Sequence, residues 1–211
     1  MEAYLKNWLT HKRGNRAFYA PPEAAWIHVE DFLSQQEATH MKEVLLASIP
    51  WKQEYIHLFG KKVAQPRLTA WHGEPEASYT YSGLKLPPQP WTPELLSLKK
   101  KVADFCKAQF NSVLINLYRE GADSMGWHSD DEKELGQQPV IASISLGAER
   151  RFQFKHKYRK EIPLISFSLK SGSLFVMKGL TQQYWKHQVP KTKKLVEPRL
   201  NLTFRYIVST S

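Results

Sequence analysis

Near residue 111 the apolar positions change their spacing, from a helical repeat before it to strict alternation after it. Ser34 followed by Glu37 has capping-box spacing, and Met41, Leu45 and Ile49 then share one side of a helix that Pro50 ends. Thr92 and Pro93 open a second helix, with Leu95, Leu98, Val102 and Phe105 as its buried stripe. Ahead of both, residues 25–29 read as a short strand. Beyond 111, six segments are strand-like: 113–118, 141–146, 151–157, 162–169, 173–177 and 199–208, separated by Gly, Pro or charged turns. Two helices followed by these strands predict an α+β fold, a β-sandwich or jelly roll (double-stranded β-helix) with the N-terminal helices packed on one side.

The remaining stretches lack such a period. Residues 1–20 mix Lys6, Lys12, Arg13 and Arg16 with Trp8, Phe18 and Tyr19, so a basic N-terminal arm with a frayed end is expected. Residues 51–91 are rich in turns and aromatics, a composition that usually acts at a surface. The expected organisation is an arm over 1–20 and a single domain over 21–211. Within that domain, 50–110 hold the turn-rich stretch and the second helix, and 111–208 the strands of a β-sandwich or jelly-roll core.

Charge adds an expectation about partners. Thirty Lys and Arg against twenty Asp and Glu give a formal +10, a balance that attracts polyanions, nucleic acid above all. The single cysteine, Cys106, excludes an intrachain disulfide and a cysteine-rich zinc site, and points to a reducing compartment. No run approaches the ~18 apolar residues of a membrane-spanning helix. An intracellular, soluble protein without a membrane partner follows as the expectation.

Chemistry concentrates after residue 111. In extended backbone His128 and Asp130 share a face, which makes half of a metal site. A second, distant His would complete the facial triad that leaves positions open on non-haem Fe(II). Downstream of Asp130 the candidates are His156, set among cations in Lys155-His156-Lys157-Tyr158-Arg159-Lys160, and His187, which a jelly roll can return beside His128. His187 is the better ligand. In 199–206, alternation puts Leu200, Leu202, Phe204 and Tyr206 on one face and Arg199, Asn201, Thr203 and Arg205 on the other. A surface strand could carry that pattern without function, but a guanidinium inside a barrel needs an anion, and a small dicarboxylate suits it. Asn116 and Tyr118 share a face of the strand that leads to His128 and offer hydrogen bonds to such an acid.

The order His128-x-Asp130, His187, then Arg199-x-Asn201-x-Thr203-Phe204-Arg205 twelve residues on resembles the AlkB family of Fe(II)/2-oxoglutarate dioxygenases. The similarity spans about 50–208 and includes Asn116-Leu117-Tyr118 and Ser145-Leu146-Gly147-Ala148. Phe59-Gly60, Pro66-Arg67 and Tyr79-Thr80-Tyr81-Ser82-Gly83 are closest to members that act on duplex DNA. The resemblance implies Fe(II) on His128, Asp130 and His187, with 2-oxoglutarate and O2 as co-substrates. It implies Arg199 and Tyr118 on the far carboxylate, and Arg205 and Asn116 at the metal-proximal end, supported by Asn201. It also implies oxidative demethylation of 1-methyladenine or 3-methylcytosine in DNA, with release of succinate, CO2 and formaldehyde. Tyr81 and the His128 ring would then sandwich a flipped base, Glu132 or Asp131 would meet its positive charge, and Phe59 would wedge into the vacated stack. Arg67 and Tyr79 belong to the same substrate side, making 50–110 a nucleotide-recognition lid. Lys155, Lys157, Arg159, Lys160, Lys191, Lys193 and Lys194 would contact phosphates. The implied partner is alkylated DNA, double-stranded DNA included, bound by a monomer in a bacterial cytoplasm or a eukaryotic nucleus. RNA demethylation, protein hydroxylation and inactive nucleic-acid binding are the alternatives.

Overall fold

The computed structural model describes residues 2–58, 60–77, 79–81, 84–86 and 88–208. Helix α1 (Glu2–Trp8) leads into a hairpin of β1 (Leu9–Arg13) and β2 (Arg16–Tyr19), and then β3 (Ala25–Val29). Helix α2 (Gln35–Ser48) follows, with the capping box in place: Glu37 N–H donates to Ser34 Oγ at 3.2 Å and Ser34 N–H to Glu37 Oε2 at 2.9 Å. Between α2 and the next helix lie the β4 (Tyr55–Leu58) and β5 (Lys61–Ala64) hairpin, β6 (Leu68–Gly73), and the short β7 (Tyr79–Tyr81) and β8 (Leu84–Leu86) pair. Helix α3 (Pro93–Cys106) is capped by Thr92, whose Oγ1 accepts from Leu95 N–H at 3.3 Å.

Eight strands follow: β9 (Ser112–Tyr118), β10 (Met125–His128), β11 (Ile141–Gly147), β12 (Arg150–His156), β13 (Ile165–Leu169), β14 (Leu174–Lys178), β15 (Trp185–Val189) and β16 (Arg199–Arg205). The short α4 (Thr181–Tyr184) sits between β14 and β15. Together with β1, β2, β3 and β6 these strands form two sheets: eight strands in the order β1-β2-β3-β14-β11-β16-β9-β6, and four in the order β10-β15-β12-β13. The result is the expected jelly roll. Two cores flank the large sheet. On its helix side, Ile115, Ile144, Val176, Leu200, Leu202 and Phe204 pack with Leu45, Leu95 and Leu98 of the helices. Between the sheets lies an aromatic layer of Trp26, Phe154, Phe167, Phe175 and Trp185. One strand therefore serves both layers through its alternation, apolar side chains toward the helices and the rest toward the small sheet.

The structure departs from the sequence expectations at three edges. Residues 9–19 form a paired hairpin that extends the large sheet instead of a frayed arm. Ala17 is buried, His11 stacks on Phe18 at 4.0 Å, and the Arg16 guanidinium lies 4.9 Å over Phe105. The strand expected over 199–208 ends at Arg205, leaving Tyr206 45% exposed instead of in the apolar face. The strand expected from 162 begins at Ile165, just past Pro163, which can donate no ladder hydrogen bond. Among the described residues, no helix is long and apolar enough to cross a membrane.

Candidate active site

The antiparallel pairing of β10 with β15 sets His128 directly opposite His187, with ring centroids 4.2 Å apart. Asp130 follows just past the end of β10. Its N–H donates to Gln182 Oε1 at 2.9 Å, while Ser129 Oγ–H donates to the Trp185 carbonyl at 2.9 Å. These two bonds fold the 129–130 segment back over β15. One ligand atom from each of His128, Asp130 and His187 then lies within 4.8 Å of the others, a spacing that fits a single metal ion. His128 Nδ1 is 2.9 Å from the Gly126 carbonyl, which can only accept, so that nitrogen carries the proton and Nε2 keeps its lone pair.

Electrostatics put the cluster in a ligating state. Burial, the largest cause, pushes His187 down to about 3, which keeps the imidazole neutral. Burial alone would raise Asp130, but the charge and hydrogen bond of Arg205 hold it below the usual carboxylate range. Arg205 Nη2 donates to Asp130 Oδ1 at 2.5 Å, a charge-assisted bond that leaves Oδ2 without a hydrogen bond among the described residues. His156 is elsewhere. Its Nδ1 accepts from the N–H groups of Tyr158 and Arg159, and its Nε2 meets Glu23 Oε2 at 3.2 Å, so both nitrogens are engaged.

The polar face of β16 continues from the metal cluster into the sandwich. A cavity of about 40 Å³ runs along it, lined by Asn116, Tyr118, Ser143, Asn201, Thr203 and Arg205, with His128, Asp130 and His187 in its wall. Beside Tyr118, Arg199 is 1% exposed, with its guanidinium 5.2 Å from the Tyr118 ring centroid. Its Nη2 donates to Ser145 Oγ at 2.9 Å, but Nε and Nη1 are buried without a hydrogen bond among the described residues. Burial pushes its pKa down to about 10, against the opposing pull of Tyr118. A buried guanidinium with two unmatched N–H groups is the donor set a carboxylate fits. Asn201 Nδ2 donates to Ser143 Oγ at 2.6 Å, which fixes the cavity floor. Ser143, Ser145 and Gln182 were not assigned site roles from the sequence; the serines show there only as the polar alternation in Ser143-Ile144-Ser145 and, for Ser145, in the run Ser145-Leu146-Gly147-Ala148.

Above the metal cluster opens a groove of about 530 Å³, lined among others by Lys52, Arg67, Trp71, Trp127, His128 and Glu132. Arg67 also faces inward. It is buried, and its Nε donates to Asn116 Oδ1 at 2.7 Å, so it bridges groove and cavity. Of the two acids expected at a bound base, Glu132 lines the groove, whereas Asp131 is exposed and pairs with Lys157 at 3.0 Å. Phe59 lies outside the described residues, as do the side chains of Tyr79 and Tyr81.

Residues 25–205 match the family model described as the 2OG-Fe(II) oxygenase superfamily. The chain belongs to that superfamily. Its Fe(II), 2-oxoglutarate and O2 are the group for which the His128, Asp130, His187 and Arg199 donor set is suited. Within the superfamily the chain is similar to AlkB homologues. It is 43% identical over 184 residues to alpha-ketoglutarate-dependent dioxygenase alkB homolog 3 of Bos taurus, covering 83% of this chain and 64% of that protein. It is 40% identical over 161 residues to DNA oxidative demethylase ALKBH2 of Mus musculus, covering 74% and 67%. The chain thus spans under two thirds of the length of the first of these relatives. The solved structure of OsALKBH1 shares the fold at 18% identity, with a TM-score of 0.63 over 89% of this chain and 98% of that one.

Proposed function

We propose that this 2OG-Fe(II) oxygenase removes N-methyl groups from alkylated bases, 1-methyladenine and 3-methylcytosine, in DNA. The observation that carries this reading is the convergence of His128, Asp130 and His187 within 4.8 Å at the meeting point of a small cavity with a polar floor and a large open groove. Relatives named DNA oxidative demethylase support the same reading.

In this scheme His128, Asp130 and His187 hold iron. With 2-oxoglutarate and O2 bound, the metal supplies the oxidising power that converts an N-methyl to an N-hydroxymethyl group, which leaves as formaldehyde. The chain's own residues do the rest. Arg199 and Tyr118 grip the far carboxylate of 2-oxoglutarate and fix its direction. Arg205 keeps Asp130 ionised and stands, with Asn116, beside the near end of the co-substrate. Asn201, tied to Ser143, keeps the cavity wall rigid. The groove takes the base, where Glu132 offers negative charge to a methylated, cationic ring. Phe59 as a wedge and Tyr79 and Tyr81 as groove walls belong to the same proposal.

A methylated base pairs poorly, so its extrusion costs less than the few kcal/mol of an intact pair. The phosphate backbone needs a cationic track. Lys155 and Lys186 stand directly opposite each other on β12 and β15, an unfavourable juxtaposition that a polyanion relieves. Lys155 Nζ also sits 4.5 Å over the Trp127 ring at the groove wall. The test is a demethylation assay on 1-methyladenine and 3-methylcytosine in matched single- and double-stranded DNA, with RNA alongside. Formaldehyde release that depends on Fe(II) and 2-oxoglutarate is expected on DNA; its absence on every DNA substrate with metal loaded overturns the proposal.

A further inference from the structure

Arg150, the first residue of β12, has no part in the scheme above, yet it is a charged group only 4% exposed. Its Nη1 donates to the Glu120 carbonyl at 3.2 Å, and its Nη2 to the carbonyls of Asp123 at 2.9 Å and Pro190 at 2.7 Å. Those carbonyls belong to two different connections. Residues 119–124 join β9, which carries Tyr118, to β10, which carries His128. Pro190 begins the chain leaving β15, which carries His187. A single guanidinium thus pins together the ends of three strands that line the cavity.

Its second contact is with the cavity itself. The Arg150 guanidinium carbon lies 5.7 Å from the Tyr118 ring centroid, and that of Arg199 lies 5.2 Å from the same ring. Tyr118 is therefore in contact with two buried guanidiniums. The acid in this neighbourhood is Asp123, but Arg119 takes both of its carboxylate oxygens, through Nε at 2.8 Å and Nη2 at 3.0 Å. Arg150 and Arg199 are both nearly fully buried, and neither makes a hydrogen bond to a carboxylate among the described residues. Buried charge of one sign is costly unless a counter-charge arrives. Burial accordingly lowers the pKa of Arg150, as it does that of Arg199.

We propose that Arg150 is a positioning residue that makes the cavity selective for a 2-oxo acid carrying a second, distal carboxylate. It acts through Tyr118, whose ring it holds in place, and through the positive field it adds behind Arg199. The proposal rests on the reading of Arg199 and Tyr118 as the far-carboxylate grip. A mere strut would bind the three carbonyls and have no effect on which acid enters.

The two roles separate in a binding experiment without turnover. The full chain, loaded with Ni(II) in place of iron, is titrated calorimetrically with 2-oxoglutarate and with 2-oxopentanoate, which has a methyl group where 2-oxoglutarate has its far carboxylate. The wild type is expected to prefer 2-oxoglutarate at least 100-fold. Arg150→Met is expected to weaken 2-oxoglutarate ten-fold or more while changing 2-oxopentanoate less than two-fold. Arg150→Lys, which keeps the charge and a donor and is the milder change for folding, is expected to lose about three- to five-fold on 2-oxoglutarate alone. Equal weakening of both acids in Arg150→Lys, or unchanged 2-oxoglutarate affinity, overturns the proposal and leaves a strut. A wild type that binds the two acids equally overturns the reading of Arg199 and Tyr118 first, and this proposal with it.

Discussion

The two ends of the cavity treat charge in opposite ways. At the metal end the carboxylate has its cation on the spot, since Arg205 reaches Asp130 at 2.5 Å, and both partners are nearly buried. At the far end the order is reversed. Arg199 is fully buried against a hydroxyl and a ring, with Nε and Nη1 unmatched among the described residues. The first arrangement holds an acid ionised and ready to ligate a cation. The second holds a buried cation with no ion-pair partner among the described residues, the state that the proposed far carboxylate of 2-oxoglutarate would neutralise. A dicarboxylate entering this cavity therefore meets two unlike ends, and the protein can orient it before any chemistry.

The strongest way to break that comparison is to remove a ligand at the metal end. His187→Ala is expected to lower turnover at least a thousand-fold and to abolish iron binding, measured as metal content after gel filtration. Stoichiometric iron in an active variant would break the assignment of the metal end. At the far end, Arg199→Met is expected to raise the 2-oxoglutarate requirement about 100-fold, in line with the loss of a buried charge-assisted pair, while iron content and DNA binding stay near wild type. Steady-state rates against 2-oxoglutarate concentration check this; a change in iron content instead would mean that the two ends are not separable.

The strand that joins these ends was the most legible part of the chain. In Arg199–Arg205, alternation alone divides three core residues from the polar set, and the structure buries both halves on opposite faces of one sheet. Capping boxes and Pro positions were equally direct, because they are local and involve neighbours in sequence. The pairing of β10 with β15 was not legible. Met125–His128 is only four residues long, and although Trp185–Val189 alternates inward Trp, His and Val with Lys and Gln, a run of five residues does not say which strand it pairs with. Arg150 and Gln182 left no signal at all. Their partners are backbone atoms of loops distant in sequence, and no pattern of side-chain types encodes where a loop carbonyl or a backbone N–H will end up.

The pH dependence of stability sharpens the contrast at the metal end. His187 is held neutral by burial, down to about 3, whereas an unfolded His protonates near its ordinary 6.5. Between those two values the unfolded state binds a proton that the folded state refuses, so metal-free protein should lose stability as pH falls from about 6.5 toward 3. Asp130 acts only lower in the range: its depressed carboxylate stabilises the fold above the ordinary carboxylate value and loses that effect in stronger acid. Thermal melts at pH 7 and pH 5 are expected to show a larger drop in Tm for wild type than for His187→Asn. Parallel drops would mean that some other group sets the acid limit.

The smallest expected effect lies at the far end, in Ser145. Its hydroxyl accepts the hydrogen bond that Arg199 Nη2 makes at 2.9 Å. The bond exists with or without a bound acid, so its loss in Ser145→Ala weighs on both states and largely cancels in binding. The remaining effect is on the aim of the guanidinium, and 2-oxoglutarate affinity is expected to fall less than five-fold. Stability, by contrast, sees the full cost of a buried charged donor left unmatched, about 1.5–3 kcal/mol, which lowers Tm by roughly 5 °C in a chain of this size. A variant with the reverse profile, stable but weak in 2-oxoglutarate binding by the same 100-fold as Arg199→Met, would show that Ser145 itself meets the carboxylate, and that the far end recognises its ligand by hydroxyl as much as by charge.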